Sequence, residues 1–193
     1  MCFTILNLIL EMAVRVNHIF PECFVDTNIL KTLLQVDGVN HQYGCTRVMA
    51  GMETGRFSDG FAIGIIDDDK RKTYNYRDFE ELCRSEHLVL LKHKTKHHYL
   101  LFVCKAAEDF LLACAHELGV NMAEYGLPDT LEGLKNVTKS NESDKDPRVK
   151  KLVNALRRAS EMARLERTVS YLHDKQYETT VEELVKVFQN NRP

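Results

Sequence analysis

Residues 13–34 read AVRVNHIFPECFVDTNILKTLL, and the pattern changes once within them. The first eight mix β-branched and aromatic side chains in partial alternation, a strand signature that Pro21 closes. Ile29, Leu30, Leu33 and Leu34 then recur at helical spacing, and Asp26 or Thr27 is placed to cap a helix over residues 26–36. A strand, a short acidic loop and a helix in succession open an α/β layer structure.

The same logic extends outward. Residues 61–66 (FAIGII) form an almost unbroken apolar run, as in strands covered on both faces, and stop at Asp67-Asp68-Asp69. Residues 88–91 (LVLL) and 99–103 (YLLFV) read as two more buried strands, residues 46–50 as a further short strand, and residues 76–84 as a short helix. Residues 105–118 make an amphipathic helix closed by Gly119 at its C′ position. The alternation predicts a mostly parallel sheet flanked by helices.

After Gly126 the character changes. Residues 136–146 (NVTKSNESDKD) are a polar loop, and Pro147 suits a helix start. Residues 148–171 carry apolar side chains at helical spacing, as one long helix or a broken one. Thr180 with Glu183 makes a capping box for a final helix. The expected division is an α/β domain over residues 1–126 and an α-helical C-terminal extension over residues 127–193.

Composition narrows the function classes. With 26 Lys and Arg against 28 Asp and Glu, the chain is no bulk polycation, so nucleic-acid contact must come from local patches. At 44% hydrophobic residues it can bury a core, which excludes a disordered tail. The six cysteines form no CxxC pair and several sit in apolar runs, the pattern of reduced thiols in the cytoplasm. The opening MCFTILNLILEM lacks a cationic n-region and meets Glu11 well short of the roughly 20 residues of a spanning helix, so no membrane association is expected. Met1 and Met12 are both readable as the start.

The chemistry concentrates at two predicted strand ends. Glu22 follows the first strand and Asp67-Asp68-Asp69 follows a later one, and in an open α/β sheet the crevice beyond such carboxyl ends takes the ligand. Carboxylates from neighbouring strand ends supply the hard oxygen ligands that Mg2+ or Mn2+ requires. Strand alternation puts Asp67 and Asp69 on one side and Asp68 on the other. Glu108, in the first turn of the helix over residues 105–118, is a further candidate ligand, although helix-dipole stabilisation alone suffices to explain it. Residues 92–98 (KHKTKHH) pack three lysines and three histidines between two strands, and Lys92 or Lys94 is a candidate electrostatic stabiliser of a phosphoryl transition state. Zinc is not expected at His93 and His97, because no cysteine or acid completes the set.

These residues resemble the TOPRIM domain, a Rossmann-like metal-binding fold with a Glu after its first strand and an Asp-x-Asp after a later one. The stretch PECFVDTNILKTLL, with Glu22 followed four residues on by Asp26, is similar to OLD-family and related bacterial anti-phage defence nucleases. The resemblance implies a metal-dependent nuclease acting on DNA or RNA with Mg2+ or Mn2+. Glu22 would be ligand or general base, Asp67 and Asp69 metal ligands, and Asp26 and Glu108 further acids. It also implies a partner ATPase and a role in defence. Cys23 departs from the family pattern, which has Gly after the Glu. The stretch FVDTNIL also resembles the opening of a PIN-domain ribonuclease, with Asp26 as the leading ligand. A third reading is a non-catalytic TOPRIM-like assembly module. Leu152, Leu156, Met162 and Leu165 then form either ordinary core or a surface for a homodimer.

Overall fold

A computed structural model of the chain describes residues 15–68 and 76–190. It is a mixed α/β fold with a mostly parallel central sheet flanked by helices. The chain starts with β1 (Arg15–Val16) and β2 (Ile19–Pro21), then α1 (Phe24–Leu34), β3 (Gly38–Val39), α2 (Cys45–Met52) and β4 (Ala62–Asp67). Next come β5 (Phe79–Arg84), β6 (Leu88–His93), β7 (His98–Val103) and α3 (Ala107–Leu118). Four helices close the chain: α4 (Leu131–Thr138), α5 (Pro147–Leu156), α6 (Ser160–Lys175) and α7 (Val181–Gln189).

The five-stranded sheet has the order β2-β4-β7-β6-β5. Strand β4 pairs in parallel with both β2 and β7, whereas β6 is antiparallel to its two neighbours. Four of the five strands therefore run the same way, and their carboxyl ends share one edge. Strand β1 leaves this sheet and pairs in parallel with β3.

Alternation along each strand divides the core. Ile63 and Ile65 of β4, with Tyr99 and Leu101 of β7, face the side covered by α1, α3, α5 and α6. Ala62, Ile66, Leu100 and Phe102 face the other side, where Val48, Met49 and Met52 of α2 pack. A Cβ on Gly64 would come within 2.6 Å of Leu100 Cδ2, 2.8 Å of Met52 Sδ and 2.9 Å of Val48 Cγ1, so the missing side chain lets α2 lie close on the sheet. Leu152, Leu156, Met162 and Leu165 are all buried in the same cluster as the sheet's first face. Asn28 of α1 donates to the carbonyls of Ser143 and Asp146 at 2.8 and 3.1 Å, a buried tie between the first helix and the segment before α5.

Several elements differ from the sequence reading. Residues 76–84 contain a strand, β5, where a helix is predicted, because pairing with β6 outweighs the helix preference of the FEEL stretch. Residues 46–50 lie in helix α2 instead of a strand. Cys45, Val48, Met49 and Met52 are its buried face, at i, i+3, i+4 and i+7, so the helical period is there in the sequence. The strand expected over residues 13–20 is divided between β1 and β2, with residues 13 and 14 outside the described residues. Residues 148–171 break into α5 and α6 at Arg157–Ala159. Helix α1 begins at Phe24 with Cys23 as its N-cap, two residues before the predicted start.

Candidate functional site

The carboxyl edge of the parallel strands gathers acids. The Glu22 amide donates to the Ile65 carbonyl at 3.0 Å, which prolongs the β2–β4 ladder by one residue. Its side chain turns inward and Oε2 accepts from the Asp67 amide at 3.0 Å, joining two strand ends 45 residues apart in sequence. Glu22 and Asp67 are 2% and 7% exposed. Both are therefore largely withdrawn from water, a costly place for charge unless a partner compensates it.

Asp26 sits in the first turn of α1, where the partial positive charge of the helix end favours an acid. It is 2% exposed. The Cys23 thiol donates to Asp26 Oδ2 at 3.0 Å, and Cys23 Sγ accepts from the Asp26 amide at 3.4 Å. Cys23 therefore serves as the N-cap in extended backbone, φ −129° and ψ 172°, which any residue adopts. The Gly of the family pattern is not needed at this position for backbone reasons. Burial holds the thiol well above its ordinary range, with the charges of Asp26 and Asp67 adding to the effect.

Asp26 itself is pushed up to about 7. Burial is the main cause, the Cys23 hydrogen bond opposes it, and the charges of Glu22 and Glu108 reinforce it. Glu108, in the first turn of α3, accepts a hydrogen bond from Thr138 Oγ1 at 2.5 Å. Glu22 just beyond β2, Asp26 of α1, Asp67 of β4 and Glu108 of α3 thus stand at one sheet edge. Asp69, Lys70, Arg71 and Lys72 lie outside the described residues.

The donor chemistry of this set, carboxylate oxygens buried at Glu22, Asp26 and Asp67 and half-buried at Glu108, is of the hard-oxygen kind that Mg2+ or Mn2+ takes. As they stand, the side chains engage protein partners: Glu22 the Asp67 amide, Asp26 the Cys23 thiol, Glu108 the Thr138 hydroxyl. Among the described residues no three His, Cys, Asp or Glu side chains are gathered closely enough to hold an ion.

The structure separates Lys92 and Lys94 from the acids. Strand β6 runs against β7, so Leu88 pairs with Val103 at the acidic edge while Lys92 pairs with Tyr99 at the far edge. A strand of this length spans roughly 20 Å. Lys92 Nζ donates to the His93 carbonyl, Lys94 Nζ to the Arg77 carbonyl, and Lys96 is paired with Glu53. Neither Lys92 nor Lys94 can reach a phosphate at Glu22 and Asp67, because a single reversed strand carries them to the other end of the sheet.

Other cations stand at the acidic edge. Arg84 ends β5 there and feels the charge of Asp68, although its guanidinium is held by Glu81 at 2.6 and 3.0 Å. Lys105 is exposed in the link from β7 to α3, with φ 72° in the left-handed region that non-glycine residues seldom occupy. Its place two residues beyond Val103, the pairing partner of Asp67, was readable only with the register known. Cys23 as a cap and Thr138 as the partner of Glu108 carried no sequence signal either.

A cavity of about 630 Å3 lined by Lys31, Gln35, Lys150 and Arg157 opens at the opposite, carboxyl end of α1, and the acids do not line it. No helix among the described residues is long and apolar enough to cross a membrane. No family model, no curated protein and no solved structure matches the chain.

Proposed function

We propose that the chain is a metal-dependent nuclease of TOPRIM type that hydrolyses phosphodiester bonds in DNA or RNA. The observation that carries the reading is the hydrogen bond from the Asp67 amide to the Glu22 side chain, which brings together the two acidic strand ends that the motif requires. Asp26, four residues after Glu22, is buried beside them and feels both Glu22 and Glu108. The PIN-like reading needs Asp26 at the end of the first strand. Here that strand ends at Pro21 and Asp26 lies inside α1, so the TOPRIM reading is preferred.

In this proposal Glu22, Asp26 and Asp67 would hold Mg2+ or Mn2+, with Glu108 as a further acid at the same edge and Asp69 as the second ligand of the Asp-x-Asp pattern. A divalent ion held there would supply Lewis-acid stabilisation of the phosphoryl group and would ease deprotonation of the attacking water. Glu22 orients the attacking water or accepts its proton. Lys105, exposed two residues beyond Val103, the pairing partner of Asp67, would take the electrostatic role that Lys92 and Lys94 are too far away to play. The helices after residue 127 contribute through Thr138, which fixes Glu108. A partner ATPase and a defence role belong to the same proposal, as does a homodimer.

The test compares wild type with Asp67→Ala/Asp69→Ala on plasmid, single-stranded DNA and tRNA, in Mg2+ and in Mn2+, with and without an added partner ATPase. Metal-dependent cleavage lost in the double variant supports the reading. Equal cleavage by both proteins, or none by either in any combination, refutes it and leaves the non-catalytic assembly module.

A further inference from the structure

Three large apolar side chains are exposed among the described residues: Tyr43, Leu118 and Tyr177. Tyr177 has a local explanation at the far edge of the sheet, where its hydroxyl accepts from the Phe61 amide at 2.9 Å and its ring meets Phe61 and His97. Tyr43 is 65% exposed and stands at the acidic edge.

Residues 40–44 run along the free side of β2. The Asn40 amide donates to the Ile19 carbonyl at 2.9 Å, the Gln42 amide to Pro21 at 2.9 Å and the Gly44 amide to Glu22 at 3.2 Å. Gln42 Nε2 also bonds Asn40 Oδ1 at 3.0 Å. Gly44, at φ 99°, then turns the chain into α2, a backbone conformation that only glycine adopts readily. The loop is thereby fixed to the strand that carries Glu22, and Tyr43 is adjacent to the residue bonded to the Glu22 carbonyl.

Tyr43 belongs to a ring cluster. Phe24, the first residue of α1, stacks on His41 with centroids 4.3 Å apart and planes 17° apart. Tyr43 stands nearly perpendicular to both, 5.6 Å from Phe24 and 4.7 Å from His41. Thr27 Oγ1 lies 2.7 Å from His41 Nδ1 and fixes the imidazole. Burial keeps His41 below its ordinary range, so the cluster is uncharged at neutral pH. A rigid aromatic surface of this kind holds nucleobases by their faces, and duplex DNA conceals those faces in its own stack.

We propose that Tyr43, supported by Phe24 and His41, stacks an unpaired nucleobase beside the proposed cation-dependent phosphate site at Glu22 and Asp67, which makes single-stranded nucleic acid the substrate class. The inference rests on the nuclease reading for its phosphate site, but the stacking surface is separately testable. Wild type, Tyr43→Ala, Tyr43→Trp, Tyr43→Phe and Tyr177→Ala are compared as full-length chains whose melting temperatures are checked first. The probes are a labelled single strand, its blunt duplex and the same single strand with abasic sites. Binding is read in Ca2+ and cleavage in Mg2+.

Wild type is expected to bind the single strand more tightly than the duplex or the abasic strand. Tyr43→Ala lowers single-strand affinity by about 5- to 150-fold, to the abasic level, while Tyr43→Trp, Tyr43→Phe and Tyr177→Ala stay near wild type. Unchanged binding in Tyr43→Ala, or duplex binding as tight as single-strand binding, overturns the proposal. Tyr43-dependent binding without cleavage in any metal overturns the nuclease reading alone and leaves the stacking surface standing. A chain that binds none of the probes overturns both.

Discussion

Replacing Asp26 by Asn tests whether the acidic edge stores electrostatic strain. The Asp26 carboxyl is held at about 7, against 3.8 for the ordinary group, by burial first and by the charges of Glu22 and Glu108. Between these two values the folded chain keeps a proton that the unfolded chain has released. Stability therefore falls as pH rises through that window and is constant above it. Three pH units at about 1.4 kcal/mol each set the loss at up to about 4 kcal/mol.

Asn cannot ionise, and its amide oxygen can still accept from the Cys23 thiol. Asp26→Asn is thus expected to match wild type near pH 4 and to exceed it by up to about 4 kcal/mol near pH 8. Urea unfolding of the two proteins across this range measures the difference directly. Mg2+ should recover part of the loss in wild type near pH 8 and do little for Asp26→Asn, because a ligand that binds only the folded chain stabilises it. Parallel pH profiles for the two proteins would show that Asp26 carries no such strain and would remove the physical basis for placing a cation beside it.

Three further outcomes follow from the packing. Glu161 and Arg164 of α6 are 7% and 9% exposed and paired at 3.2 Å, and Glu161 also accepts from Ser85 Oγ and the His87 amide. Glu161→Ala removes the carboxylate from a largely buried guanidinium that keeps the Phe188 carbonyl, and should cost roughly 1–3 kcal/mol in chemical denaturation, with Glu161→Gln milder. His18, whose Nε2 lies 3.0 Å from His173 Nδ1, is lowered to about 4 by burial, then by His173 and Arg56. Its folded form is neutral, so its contribution is lost as pH falls from about 6.5 toward 4, and His18→Asn should flatten that acid-side loss in melting temperature relative to wild type. Gly64→Ala crowds Leu100, Met52 and Val48 and should destabilise by about 1–3 kcal/mol. An equal or higher denaturation midpoint would mean that α2 can withdraw from the sheet without cost.

The legible part of this protein is what local pattern determines. Runs such as FAIGII and YLLFV are strands because continuous apolar side chains require cover on both faces, and they lie in β4 and β7. Thr180 caps α7 through the Glu183 amide, and Gly119 closes α3 in the left-handed region, as capping chemistry dictates. Cys45, Val48, Met49 and Met52 show that a helical period can be present and still be overlooked when β-branched neighbours suggest a strand. The acids at positions 22 and 67 follow directly from where apolar runs stop.

Strand direction and partner choice are different in kind. The FEEL stretch becomes an edge strand because β6 offers it a ladder, and nothing within residues 79–84 specifies that partner. The reversal of β6 sends Lys92 and Lys94 to the far edge, although they are close in sequence to strands that end at the acids. Cys23 acquires its role from Asp26, and Thr138 from Glu108, only when the backbone brings them within hydrogen-bond reach. The sequence by itself determined the α/β class and the strand-end position of Glu22 and Asp67, since burial and capping act over a few residues. The tertiary structure alone decided which charges share an edge, because that depends on strand pairing between residues far apart in the chain.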